Sequence, residues 1–224
     1  MKKRLFFTLL LTVSTQLFAQ NNVNMSDEAR KTDVYTNIPE IITHQYATDK
    51  NIIRYYFSFT CPYCKQVESF ISVWGKSLPR NLLYSATPVV DETDSSRMLA
   101  VAYHFVKQQA LNDYYLDKFV TNIYTHIHKI SNTDELARLI KESMVDAKVN
   151  IKDFITKIRD PKFVSMVNNL KKQQDSYGLT VTPTVVVGAQ YLTHLGLAEG
   201  DPSRFIEILN AIVNLQLYSS AGIK

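Results

Sequence analysis

Cysteine is almost missing from this 224-residue sequence, which holds only Cys61 and Cys64. So few exclude a disulfide-stapled scaffold. A bridge between two residues so close in the chain removes little unfolded-state entropy, so a purely structural clip has no motive either. Excess charge is missing as well. Lys2, Lys3 and Arg4 supply three of the 25 basic residues and residues 1–20 hold no acid, which leaves 22 basic against 21 acidic residues beyond them. That balance gives no compositional reason to expect nucleic acid or an anionic membrane as a partner. The N-terminal apolar run is broken by Thr12, Ser14, Thr15 and Gln16 before it reaches the roughly 20 residues that span a bilayer. Repeats and low-complexity tracts are absent.

What is there begins with a basic start, Met1-Lys2-Lys3-Arg4, an almost uninterrupted apolar run over residues 5–13, and Leu17-Phe18-Ala19 before Gln20. This tripartite pattern predicts a cleavable signal peptide over residues 1–19. No cysteine follows the run to take a lipid. Residues 20–32 are polar and poor in aromatics, which predicts a mobile N-terminal arm. Some 200 remaining residues, in a chain that is 46% apolar, can bury a sizeable core.

Residues 52–59 are β-branched and aromatic and read as a largely buried strand ended by Thr60. From Pro62 the period becomes helical, with Val67, Phe70, Ile71 and Trp74 on one apolar face. Pro62 sits where a first-turn proline is tolerated, so Cys61 falls at a strand-to-helix junction. Residues 82–90 read as a second core strand. Residues 96–177 show helical periodicity, with breaks near residues 110–113, at Ser131-Asn132-Thr133, near Val149-Asn150 and at Asp160-Pro161, an N-cap before a first-turn proline. A β-branched run over residues 184–187 follows, then a Gly188-Ala189 turn and a hairpin partner over residues 190–193. Asp201-Pro202 opens a last helix whose stripe is Phe205, Ile206, Leu209, Ile212 and Val213. The order predicts an α/β fold: core segments over residues 33–91 and 179–218, an inserted helical domain over residues 92–178 between them, and a C-terminal tail over residues 219–224.

Two cysteines flanking two residues at the start of a helix carry a definite chemistry. A helix N-terminus lowers a thiol pKa through its unpaired N–H groups and positive dipole end. Cys61 is therefore the expected nucleophile, and Cys64, one turn further in, the resolving thiol. A zinc site would need four ligands, and His44, His104, His126, His128 and His194 show no ligand spacing with the pair, so no metal and no cofactor is expected. Pro183, directly before a β-branched strand, is awkward there unless it performs a backbone task, of which a cis bond after Thr182 is one.

In this order the motifs resemble the DsbA family of periplasmic thiol oxidoreductases. The similarity rests on Phe57-Ser58-Phe59-Thr60-Cys61-Pro62-Tyr63-Cys64, the helical insertion, Val181-Thr182-Pro183-Thr184, Val187-Gly188-Ala189-Gln190-Tyr191 and the leader, and covers residues 33–218. It implies a thioredoxin-like core in which Cys61 forms the mixed disulfide, Cys64 resolves it, and the Thr182-Pro183 loop lies against the pair and binds substrate backbone. It also implies folding exported proteins as substrates, a membrane redox partner of the DsbB type as the sole link to the membrane, and a periplasmic location. Pro62 and Tyr63 are the expected redox-tuning residues. Strong oxidants of the family carry histidine where Tyr63 stands, typical ones carry valine where Thr182 stands, and the strand before the motif carries a buried acid where Tyr55 falls. These differences place the expected potential between DsbA and the glutaredoxins, at roughly −140 to −220 mV.

Two other readings compete with the oxidase. One is an isomerase or reductase of the same compartment, although isomerases there usually add an N-terminal dimerisation domain for which the chain has too few residues. The other is a binding or chaperone module with incidental cysteines, using an apolar surface drawn from Tyr55, Tyr56, Phe57, Phe59, Tyr63 and Phe70; most of these sit at core spacing.

Overall fold

The computed structural model describes residues 34–220. The expected leader, the arm and the last residues of the tail lie outside the described residues. The chain runs β1 (Thr36–Asn37), α1 (Glu40–Gln45), β2 (Ile52–Phe57), α2 (Pro62–Lys76), β3 (Leu83–Pro88), then five helices in succession. These are α3 (Asp94–Gln109), α4 (Asp113–His126), α5 (Thr133–Asp146), α6 (Ile151–Lys157) and α7 (Pro161–Ser176). The hairpin β4 (Thr184–Val187) and β5 (Tyr191–His194) and the helix α8 (Pro202–Ser220) complete it.

The five strands form one mixed sheet in the order β1-β5-β4-β2-β3. β2 runs parallel to β3 and antiparallel to β4, with Tyr55 opposite Val185 and Tyr56 opposite Thr184. Alternation along the two central strands sends side chains to two sides. Ile53, Tyr55, Phe57, Val185 and Val187 enter the main core with α2, the helical block and α8. Tyr56 and Val186 instead join a smaller cluster with Ile38, Tyr177 and Ala189. Both central strands are therefore covered on both faces, which is why β2 and β4 read as nearly continuous apolar runs.

Three of the four breaks expected in the helical stretch are side-chain helix caps, and the one near residues 110–113 is a helix boundary at Asn112 without a side-chain cap. Thr93, Asn132, Asn150 and Asp160 each accept a backbone N–H at the start of α3, α5, α6 and α7, and Pro161 occupies the first turn after Asp160. Asp201 does the same for α8 through the Ser203 N–H at 2.8 Å. Two expectations about faces need correction. On α2 the buried stripe is Cys64, Val67, Ile71 and Trp74, while Phe70 is 47% exposed; it lies at the edge of the stripe rather than on it. On α8 Ile208 is buried and Ile206 only partly so.

The second cluster is held by a closed polar network. Asp49, 3% exposed, accepts from the Arg54 guanidinium (Nε and, at 2.7 Å, Nη2), from Gln173 Nε2 at 2.9 Å and from the Tyr177 hydroxyl at 3.1 Å. The Tyr56 hydroxyl donates to Gln173 Oε1 at 3.3 Å. This ties β2 to the end of α7. Among the described residues no helix is long and apolar enough to cross a membrane, and no group of three or more His, Cys, Asp or Glu could hold a metal ion.

Candidate active site

β2 ends at Phe57, the chain turns through Ser58-Phe59-Thr60, and Cys61 becomes the N-cap of α2 with extended backbone (φ −85°, ψ 117°). Pro62 fills the first helical position, where its missing N–H costs nothing. The cap is the sulfur itself: Cys61 Sγ accepts the Cys64 N–H at 3.4 Å. Both cysteines are free thiols, Cys61 partly exposed and Cys64 fully buried. Cys64 Sγ in turn accepts the Ser58 N–H at 3.5 Å.

The Thr182–Pro183 bond is cis, and this loop meets the pair. The Cys61 thiol donates to the Thr182 carbonyl at 3.4 Å. The loop is held by the start of β4, where Thr184 Oγ1 donates to the Val181 carbonyl at 2.7 Å and is buried opposite Tyr56. Residues 121 positions apart in the chain are thus brought into contact by the pairing of β2 with β4. Tyr63 stands 58% exposed beside Cys61, and Val181 is 45% exposed on the loop. Cys61, Pro62, Tyr63, Cys64, Thr182 and Pro183 therefore form one site.

The two thiols differ sharply in acidity. A hydrogen bond from the Cys64 thiol holds the Cys61 thiolate, with further help from the Thr182 side chain and from the backbone N–H groups of Cys64 and Tyr63, and against burial this lowers the Cys61 pKa to about 5. Cys64 moves strongly upward, because giving up its proton would break that bond to Cys61 and leave a charge in a buried place. The arrangement can therefore do thiol-disulfide exchange. One sulfur is an accessible thiolate near neutral pH, and the other is a shielded thiol one helical turn away.

Sequence reasoning missed what lies behind the pair. Tyr55 occupies the strand position expected to lack an acid, but Glu68 on α2 lies near its hydroxyl, and burial and Asp117 push the Glu68 pKa up to about 7. The available signal was spacing, since Glu68 follows Cys64 by four residues and so shares its helical face.

The family model described as Thioredoxin matches residues 45–200, which include the cysteine pair, the helical block and the cis-proline loop. The chain belongs to the thioredoxin family. Within that family it is similar to the thiol:disulfide interchange protein DsbA of Bordetella pertussis, at 20% identity over 92% of this chain and 95% of the relative. Among solved structures it is similar to the oxidoreductase DsbA of Xylella fastidiosa, with a TM-score of 0.65 and 20% identity over 82% of this chain and 95% of the other. It is also similar to a Proteus mirabilis DsbA complexed with a non-covalently bound peptide, with a TM-score of 0.61 and 16% identity over the same shares. The thioredoxin-like core with its added helices is the fold of these proteins.

Proposed function

We propose that this thiol:disulfide oxidoreductase is a dithiol oxidase that donates a Cys61–Cys64 disulfide to exported proteins as they fold. A substrate thiolate attacks Cys61 Sγ, the Cys61–Cys64 bond breaks, and the electron pair leaves on Cys64, which takes up a proton. A second substrate thiolate then attacks the substrate's own sulfur in the mixed disulfide, and Cys61 departs as a thiolate. The substrate leaves with a new disulfide and the enzyme remains as the dithiol. The pair carries the electrons itself, so the exchange needs no cofactor.

The observation that carries this reading is the thiolate-holding environment of Cys61, with its pKa near 5. Whatever favours that thiolate stabilises the reduced pair and makes the disulfide more oxidising. The Thr182-Pro183 loop is the proposed rest for substrate backbone, a role supported by its contact with Cys61. The sequence of residues 1–19 supports export to the periplasm, where a DsbB-type membrane partner would return the pair to the disulfide.

The equilibrium potential of the pair tests the direction of transfer. We expect roughly −140 to −220 mV, and a value near −270 mV would favour a reductase. Thr182 and the uncharged Tyr63 are the features that favour that second reading. Tyr63→His should raise the potential by about 20 to 65 mV, the equivalent of an added 1 to 3 kcal/mol on the thiolate; no change or a fall would remove Tyr63 from the account. If Cys61 and Cys64 are both replaced by Ser and peptide binding survives without exchange, catalysis rests on the pair; exchange that survives as well would refute it.

A further inference from the structure

The two sulfurs of the pair are served by different elements. Cys61 Sγ accepts from the helix that it caps, through the Cys64 N–H at 3.4 Å. Cys64 is 0% exposed, and among the described residues the one backbone N–H that reaches its sulfur comes from outside the helix. Ser58, one residue past the end of β2, donates to it at 3.5 Å. An N–H that leaves a sheet needs a new acceptor, and the acceptor here is a reacting atom.

Ser58 is anchored in ways that fix the direction of this N–H. Its hydroxyl oxygen accepts the Thr60 N–H at 3.3 Å and is paired with Thr60 Oγ1 at 2.9 Å. Its carbonyl accepts the Cys61 N–H at 3.2 Å. A serine hydroxyl bonded to the backbone two residues on closes a compact turn of side chain and main chain together. Phe59, between the two hydroxyl residues, is buried against Phe57, Phe119 and Tyr124, so packing holds the same turn. We propose that the Ser58 N–H receives the negative charge of Cys64 during exchange, and that the Ser58 and Thr60 hydroxyls aim it. The N–H touches a reacting atom, the two hydroxyls are positioning groups, and the assignment rests on the exchange at Cys61 and Cys64 described above.

In the oxidising direction a substrate thiolate bonds to Cys61 Sγ, the Cys61–Cys64 bond breaks, and the electron pair stays on Cys64 Sγ, which is an anion until it takes up a proton. In the reverse direction Cys64 must carry the same charge before it attacks Cys61 Sγ and expels the substrate thiolate. Little favours a charge at that place. The hydrogen bond to Cys61 and burial both raise the Cys64 pKa, and the Ser58 N–H is the first influence that lowers it, ahead of Thr182. A donor fixed where charge develops, in a site poor in water, needs no reorganisation as the charge appears. The resting states gain less from it, because the Cys64 sulfur is neutral both as a thiol and within the disulfide. The donor therefore acts on the rate of exchange and not on its equilibrium.

The test uses the full chain and glutathione at pH 7. It follows attack of glutathione on the Cys61–Cys64 disulfide and, in the opposite direction, release of glutathione by Cys64 from a mixed disulfide on Cys61. An ester in place of the amide between Phe57 and Ser58 deletes the N–H and keeps every side chain. A thiolate that loses a charge-assisted bond becomes rarer but more nucleophilic, with a Brønsted slope of about 0.4 to 0.5, so both rates should fall about threefold to tenfold. Ser58→Ala leaves the N–H unaimed and should slow both directions about threefold, the low end of that range. Ser58→Thr keeps the hydroxyl and should restore them. The ratio of the two rates, and with it the redox potential, should stay at the wild-type value throughout. Unchanged rates in the ester and in Ser58→Ala would overturn the assignment. So would a fall in one direction alone, which moves the potential and places the effect of the donor on a resting state. A wild type that fails to exchange with glutathione would instead sink the exchange on which the assignment rests.

Discussion

Tyr55 and Tyr56 are neighbours in β2 and both 0% exposed, but they serve opposite sides of the strand and meet opposite conditions. The Tyr56 hydroxyl donates to Gln173, inside a network where Asp49 accepts from Arg54, Gln173 and Tyr177. The Tyr55 hydroxyl has no protein partner, and neither have those of Tyr84 and Tyr124 around it. Burying a polar group without a partner costs free energy, so a cluster that only holds the fold together closes its bonds. The Tyr56 side does so. The Tyr55 side, behind the redox pair, leaves its hydroxyls unpaired and carries that cost.

The largest effect should come from breaking the closed network. Removing one member of a buried ion pair leaves the other charge stranded, so Asp49→Ala should destabilise the protein by about 3 to 5 kcal/mol in urea unfolding. The Cys61 thiolate absorbance should keep its midpoint, since the network lies on the other side of β2. If the midpoint moves, the two regions are not independent and the contrast fails.

A second effect is set by pH. Cys61 has a folded pKa near 5 against an ordinary 9, so between those values the unfolded reduced chain binds more protons at Cys61 than the native one, and the Cys61 contribution to native stability rises with pH. The contribution is complete near pH 9 and is lost as pH falls through about 5. Above 9 the raised Cys64 thiol acts in the opposite sense, because only the unfolded chain then loses that proton. Unfolding at a series of pH values should show this rise in the reduced protein relative to the disulfide form, which keeps every other titrating group. Equal profiles for the two forms would mean that the native fold does not favour the Cys61 thiolate.

Much of this was legible in the sequence where the signal is local. Cys61 before Pro62, Asp160 before Pro161 and the β-branched run after Pro183 each announce a junction through their own chemistry, and the order of elements identifies the fold. The short β1 and α1 were not legible, because Thr36 and Asn37 are exposed and α1 buries no residue, so neither segment has an apolar period. Phe70 was misplaced because a helical repeat locates a stripe but not its edges. The Asp49 network was out of reach for a different reason: Asp49 and Gln173 stand 124 positions apart, and only the packing of α7 against the start of β2 unites them. Glu68 lay between these cases, visible as an acid one turn beyond Cys64 but meaningful only once Tyr55 and Tyr124 are seen to enclose it.

The smallest effects give the sharpest comparison, because Tyr55→Phe and Tyr56→Phe delete the same atom from adjacent buried residues. Neither change opens more than an oxygen-sized space, so differences between them report hydrogen bonding rather than packing. Tyr56→Phe removes a donor from Gln173 Oε1 and should cost about 0.5 to 1.5 kcal/mol, the net value of a neutral hydrogen bond. Tyr55→Phe removes a hydroxyl that has lost water and gained no protein partner, so unfolding free energy should stay within about 0.5 kcal/mol of wild type or rise, because an unmet desolvation cost disappears with the group. A stability loss above about 1 kcal/mol in Tyr55→Phe would mean that its hydroxyl is bonded in the native state. The Tyr55 side would then be a second structural network, and the contrast between the two faces of β2 would fail.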